Sequence, residues 1–232
     1  MSYQDYSDQA NNNQASFLSD LQYKERKDVF ITLAKAFTNA GVNWTVGCSL
    51  SLFFRGIVDD FHDIDLIVSL RDIDIIDEIM ENYGAELVDN TGNGYCESDK
   101  YRHYYLGRAD IDIIAGFRVN TFNTSYHYEL STNDVDTIDL IDIEIPLLAL
   151  EVMYILYYMM EGWQPKRRFK RQLIERYFYV MSPIHRLMLL PNTAYRLRSS
   201  SQLRECLRFD CSERVEVNTS TLFYILDINK KM

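Results

Sequence analysis

Asp63-Ile64-Asp65-Leu66-Ile67-Val68 is the stretch on which the fold turns. The run from Ile64 to Leu70 is rich in β-branched and aliphatic residues and predicts a buried strand. In a strand, residues i and i+2 point to the same face. Asp63 and Asp65 therefore project together, and Ile64 and Leu66 project to the other side. Two like charges side by side at the start of an apolar strand repel one another. A divalent cation between them removes the conflict, and hard carboxylate oxygens suit Mg²⁺. An isolated pair of this kind is more often a solvated strand end.

Two neighbouring stretches change that weighting. Upstream lies Val46-Gly47-Cys48-Ser49, followed by Leu50 to Ile57, a strand, a glycine turn and a short helix. Gly47 lets the backbone turn sharply and approach a ligand closely. Ser49 stands where its hydroxyl can cap the helix or touch a phosphate, and the free N–H groups there favour an anion. Downstream lies Ala109-Asp110-Ile111-Asp112-Ile113-Ile114-Ala115-Gly116, a second strand with the same alternation. Asp110 and Asp112 share a face. If this strand lies beside the first, a third carboxylate joins the pair. The three pieces together point to a site for a metal ion and a nucleotide.

The whole chain accommodates such a site. It has 232 residues, enough for one large or two small domains. Apolar residues make up 47% and charged residues 25%, so a packed core is expected and wholesale disorder is excluded. Lys plus Arg total 24 against 34 Asp plus Glu, a net charge of −10, which argues against coating bulk nucleic acid through charge. The longest apolar run, Ile145 to Met160, carries Glu151 and falls short of the roughly 18 residues of a membrane span. It reads as a buried helix, and would serve a homodimer or a single-chain core equally well. Met1 to Gln14 is polar and lacks the pattern of a secretory signal. Cys48, Cys96, Cys206 and Cys211 form no CxxC pair, so the expected compartment is the reducing cytoplasm.

Gly47-x-Ser49, a spacer, Asp63-Ile64-Asp65 and the later strand aspartate Asp112 resemble the nucleotidyltransferase superfamily that includes DNA polymerase beta. Within it, the likeness is closer to small bacterial enzymes that adenylylate aminoglycosides or lincosamides. Ile143 to Glu151 is similar to the join between core and helical tail in those enzymes, and the Lys/Arg-bearing helix Lys166 to Tyr177 extends the likeness. The resemblance implies an α/β fold: a nucleotidyltransferase-type mixed sheet flanked by helices, then a mostly helical C-terminal region. It implies that Asp63 and Asp65 hold Mg²⁺ on the triphosphate. Asp112 would complete a two-metal site or take a proton from the acceptor. Gly47 and Ser49 would hold the β- and γ-phosphates of an NTP, ATP first among them. A hydroxyl of a small molecule, antibiotics being the best-known case, would attack the α-phosphorus and release pyrophosphate. A tRNA end or protein side chain as acceptor, and a non-catalytic nucleotide- or partner-binding relative, are the competing readings.

The sequence departs from the family pattern twice. Cys48 stands where relatives carry a second glycine. Asp59-Asp60-Phe61-His62 stands where many relatives place a basic residue and a Ser or Thr. Arg55 or His62 would have to make up the missing positive charge.

Along the chain, residues 1–14 are expected to be loose, Phe17 to Ala40 helical with Gly41 as its stop, and Asp72 to Tyr83 helical with Asp72 as cap. Asn43–Val46 reads as a short strand, and Ala85–Val88 and Tyr101–Gly107 read as strands around the turn-rich Thr91–Gly94. Pro146 is expected to open a helix, with 166–181, 183–190 and 199–209 helical beyond it. Between Glu161 and Arg214 there are 12 basic residues and 5 acidic ones, whereas the rest is strongly acidic. That shift suggests a core over 1–145 and a helical domain over 146–232. The basic run Lys166–Arg171 reads chiefly as a solvated helix face. Tyr154, Tyr157, Tyr158 and Trp163 read as packing. His103 and His127 read as strand or loop histidines without ligand companions, and Asp110 as a partner of Arg108 or Arg118.

Overall fold

The structure is a computed structural model that describes residues 2–89, 96–120, 125–160, 165–181 and 215–216. The chain opens with two helices, α1 (Tyr3–Ser19) and α2 (Lys24–Ala40). Strand β1 (Trp44–Val46), helix α3 (Cys48–Phe54) and strand β2 (Ile64–Val68) follow. Helix α4 (Ile73–Asn82) leads to β3 (Glu86–Asp89), β4 (Cys96–Leu106), β5 (Ala109–Asn120) and β6 (Ser125–Tyr128). Then come β7 (Val135–Leu140), β8 (Ile143–Leu148), α5 (Leu150–Met160), α6 (Pro165–Met181) and the short β9 (Val215–Glu216). This is the expected mixed α/β architecture.

Among the described residues the strands form one sheet in the order β3-β4-β5-β2-β1-β8-β7, with β6 beside β5 and β9 beside β6. The centre is mixed: β2 runs parallel to β5 and antiparallel to β1. Alternation along β2 assigns its two faces. Ile64, Leu66 and Val68 join Ile111, Ile113 and Ala115 in one core cluster with residues of α2 and α4. Ile67 joins a second cluster made largely by α5 and α6. Asp63 and Asp65 share the parity of Ile67 and so belong to the α5 side of the sheet.

Helix α5 is apolar almost all round because it is enclosed. Val152, Met153, Ile155, Leu156 and Tyr157 are all buried. Each such side chain contributes roughly 1.5–3 kcal/mol on leaving water. The chain's own core thus uses the apolar run, and no helix among the described residues is long and apolar enough to cross a membrane. Tyr154 and Tyr157 pack as expected, whereas Trp163 lies outside the described residues. Arg171 lies over the rings of Tyr154 and Tyr158 and pairs with Glu175, so this member of the basic run joins α6 to α5. Arg168 is exposed, in keeping with a solvated face.

Four local expectations are corrected. The start is helical, not loose. Ser2 and Asp5 form a capping box, and Tyr6, Asn13 and Phe17 are buried. Asn13 and Gln14 of α1 face the end of α3. Asn13 Nδ2 donates to the carbonyls of Phe53 (2.7 Å) and Val58 (2.9 Å). Gly56 (φ 68°) lets α1 approach, since a Cβ there would lie 2.5 Å from Ala10 N and 2.6 Å from Tyr6 O. Secondly, the periodicity over Phe17–Ala40 breaks between Ser19 and Lys24, where the chain turns from α1 into α2. Thirdly, Pro146 sits in β8 opposite Thr137, and α5 starts only at Leu150. The pairing of β8 with β1 is confined to Leu147 and Val46, so a residue without an N–H interrupts no long ladder on that side. The expected boundary between 145 and 146 consequently falls inside a strand. Lastly, Asp72 precedes α4 without a side-chain cap; its carboxylate accepts from the Asn43 amide at 2.8 Å. The helices expected at 183–190 and 199–209, and the turn at Thr91–Gly94, lie outside the described residues.

Candidate active site

Strand register builds the site. In the parallel pair β2–β5, Ile64 stands opposite Ile111, Asp65 opposite Asp112 and Leu66 opposite Ile113. Apolar residues meet on the core side of both strands, which forces the acidic residues of both onto the other side. Carboxylate oxygens of Asp63, Asp65 and Asp112 all lie within 4.8 Å of one another. Asp65 is buried and the other two are half-buried. The structure therefore brings together the three carboxylates expected from sequence. Three hard oxygen donors at this separation fit a divalent cation such as Mg²⁺.

The glycine turn is tied to this cluster. Gly47 N donates to the Asp65 carbonyl at 2.9 Å, which locks the entry of α3 against β2. Gly47 itself is extended (φ −107°, ψ −171°), and it is needed for space. A Cβ would lie 3.2 Å from Ile67 Cδ1, tighter than ordinary contact. Cys48 has φ 45°, left-handed backbone that costs a side-chain-bearing residue about 1–2 kcal/mol. By the resemblance of sequence, this is the place of the second glycine of a Gly-Gly-Ser turn. Ser49 does not cap α3, because the helix already starts at Cys48 and has no side-chain cap. Its hydroxyl donates to Asp63 Oδ1 at 3.2 Å.

Strand β4 supplies residues that the sequence reading missed. The hairpin β4–β5 turns through Gly107-Arg108, pairing Leu106 with Ala109 and, further along, His103 with Asp112. His103 Nδ1 lies 2.7 Å from Asp112 Oδ1 and 3.4 Å from Asp110 Oδ1. Tyr101 OH donates to the same Asp112 oxygen at 2.8 Å. Asp110 is thus a neighbour of His103, and not of Arg108, which pairs with Glu25, or Arg118, which pairs with Asp99. Burial raises the Asp110 carboxyl above its usual range; His103 opposes this, and the charges of Asp112 and Asp63 add to it. His127 also has a carboxylate companion, with Nε2 2.7 Å from Asp99 Oδ2. The two-residue hairpin was the signal available: counting outward from Leu106 and Ala109 sets His103 against Asp112.

The second departure is answered by Asp60 and Arg55. Asp60 is structural, accepting from Tyr23 OH at 2.9 Å and from the Phe61 amide at 2.8 Å. Arg55 does not make up the missing positive charge. Its side chain is covered and donates to Asp136 at 2.7 Å and to the Leu148 carbonyl at 3.1 Å, so it joins α3 to the β7–β8 hairpin.

No family profile matches the sequence, and no curated protein matches it. Solved structures do. A proposed nucleotidyltransferase from Thermotoga maritima is 21% identical and has a TM-score of 0.54, over 66% of this chain and 94% of its own. ANT(2″)-Ia, solved with adenylyl-2″-tobramycin, is 12% identical with a TM-score of 0.49, over 75% of this chain and 98% of its own. The lincosamide antibiotic adenylyltransferase LnuA, solved with lincomycin bound, is 13% identical with a TM-score of 0.44, over 64% and 95%. This chain shares the fold of the Thermotoga maritima protein.

Proposed function

We propose that this chain, which has the nucleotidyltransferase fold, transfers a nucleoside monophosphate from an NTP, preferably ATP, to a hydroxyl of a small molecule. The observation that carries the reading is the convergence of Asp63, Asp65 and Asp112 within 4.8 Å across β2 and β5, beside the Gly47–Ser49 turn. Asp63 and Asp65 would hold Mg²⁺ on the triphosphate, where it would supply Lewis-acid stabilisation of charge on the α-phosphoryl oxygens and the leaving pyrophosphate.

The remaining work falls to the chain. Gly47, Cys48 and Ser49 present the start of α3 to the β- and γ-phosphates, and Ser49 leaves its bond to Asp63 to reach them. Asp112 lies beside the pair and receives the proton of the attacking hydroxyl, which then displaces pyrophosphate in line. The apolar floor beneath the three carboxylates excludes water from one side and strengthens their fields. An antibiotic-like acceptor is the first choice, by likeness of sequence motif. A cytoplasmic setting agrees with a cysteine spacing that contains no CxxC pair.

The test is incubation with labelled NTPs and Mg²⁺ over a panel of aminoglycosides, lincosamides, tRNA and protein acceptors. The expected result is pyrophosphate release that depends on one small-molecule acceptor. Release dependent on tRNA or protein would move the acceptor class. Absence of Mg²⁺-dependent NTP binding by calorimetry would remove the enzymatic reading.

A further inference from the structure

We propose that Tyr101 and His103 are positioning residues that orient Asp112 for proton transfer; the assignment rests on the nucleotidyl-transfer reading above. Neither residue belongs to β2 or β5, the strands that bring the three carboxylates together. Both come from β4, at alternate positions and hence on one face of it. Antiparallel register sets His103 directly opposite Asp112 and Tyr101 opposite Ile114, one same-face step along β5. From there the Tyr101 hydroxyl and His103 Nδ1 converge on one atom, Asp112 Oδ1, at 2.8 and 2.7 Å.

The chemistry of that contact is directional. An ionised carboxylate only accepts, so the imidazole must carry its hydrogen on Nδ1. The ring is held from the side by Tyr105, edge-on at a centroid distance of 5.1 Å and 76° between planes. Two donors from different residues onto one oxygen fix both the position and the rotation of the carboxylate. They also draw charge onto Oδ1 and leave Oδ2, which carries neither bond, as the oxygen that meets the reacting proton. A guanidinium would hold the group equally firmly, but it would bring a permanent positive charge into competition with Mg²⁺. A hydroxyl and an imidazole nitrogen orient it without that permanent charge.

The experiment uses the full chain with the variants Tyr101→Phe, His103→Leu, His103→Asn and the double variant Tyr101→Phe/His103→Leu. Turnover is measured with the acceptor that supports release in the panel. Tyr101→Phe and His103→Leu should each lower kcat about 10–100-fold, with KM for the NTP within about 2-fold of wild type. His103→Asn should recover most of the loss, because its amide nitrogen can stand near the place of Nδ1. The double variant should lose less than the product of the single losses, since both donors act through one carboxylate.

An unchanged kcat, a loss confined to KM, or an asparagine as poor as leucine would overturn the assignment. Nitrogen-15 NMR of the histidines provides a readout independent of turnover. The expected signature is a His103 ring protonated on Nδ1 above its titration range, with a signal that moves in Asp112→Asn. A ring protonated on Nε2 alone would overturn the proposal even if no acceptor were turned over, whereas absence of turnover by wild type would count against the transfer reading.

Discussion

Two acidic groupings meet the β4–β5 hairpin, one of them shared with β2, and they are built in opposite ways. Towards the far end from the turn, Asp99 is bracketed by Arg118 at 2.9 Å and His127 at 2.7 Å. Burial works against its charge, but the hydrogen bonds and charges of Arg118 and His127 outweigh it and hold the carboxyl below its usual range. Nearer the turn, Asp63 is met by a serine hydroxyl and Asp112 by a tyrosine hydroxyl and an imidazole. Beside them burial pushes the Asp110 carboxyl up, with two neighbouring carboxylates adding to the shift. The first grouping settles its charge inside the fold. The second keeps carboxylates crowded together, an arrangement that favours a cation from outside.

The largest expected effect separates the two by activity. Asp65→Asn should lower kcat by about 10³-fold or more, because it removes a metal ligand worth several kcal/mol in the transition state. Asp99→Asn should stay within about 3-fold of wild type. Comparable losses in steady-state turnover would erase the distinction.

A smaller effect concerns the cation itself. Mg²⁺ at about 100 times its Kd should stabilise the wild-type chain by about 2.7 kcal/mol, or raise Tm by about 5–10 °C. The shift should survive in Asp99→Asn and fall by more than half in Asp65→Asn, read by differential scanning calorimetry. An equal shift in both variants would place the bound ion away from the trio.

The smallest effect concerns acid stability. A carboxyl whose folded pKa lies below the ordinary 3.8 contributes stability that is present above that value and is lost as pH falls through the folded one. Asp99→Asn should therefore cost about 1 kcal/mol near pH 7, in the range of partly exposed ion pairs. Urea unfolding of mutant and wild type should converge in strong acid. A gap that persists there would mean that Asp99 acts through packing against Gly116.

Much of the site was legible because its strands are short-period objects. Asp63 with Asp65, and Asp112 away from Ile111 and Ile113, follow from alternation alone. What was illegible depended on distant partners. The start of the chain looked loose because the hydrogen-bond acceptors of Asn13, the carbonyls of Phe53 and Val58, lie 40 and 45 positions away from it. Pro146 looked like a helix start because the strand that pairs with it was not in view. Arg55 looked like a candidate phosphate contact, and its actual partner Asp136 lies 81 residues further on. His103 stood between these cases, since its partner is only nine residues distant across a tight hairpin.

The sequence alone determined which side chains share a face, because a strand repeats every two residues and a helix about every 3.6. It also determined that an apolar strand would start with two acids and that a glycine would precede α3. Only the tertiary structure decided that β2 and β5 are neighbours, parallel, and in the register that sets Asp65 against Asp112. That choice is made by burial: sliding one strand by a single residue would turn Ile111 and Ile113 out of the core and the acids into it. No local pattern carries that information, since the energy that selects the register is spread over the apolar face that both strands share with α2 and α4.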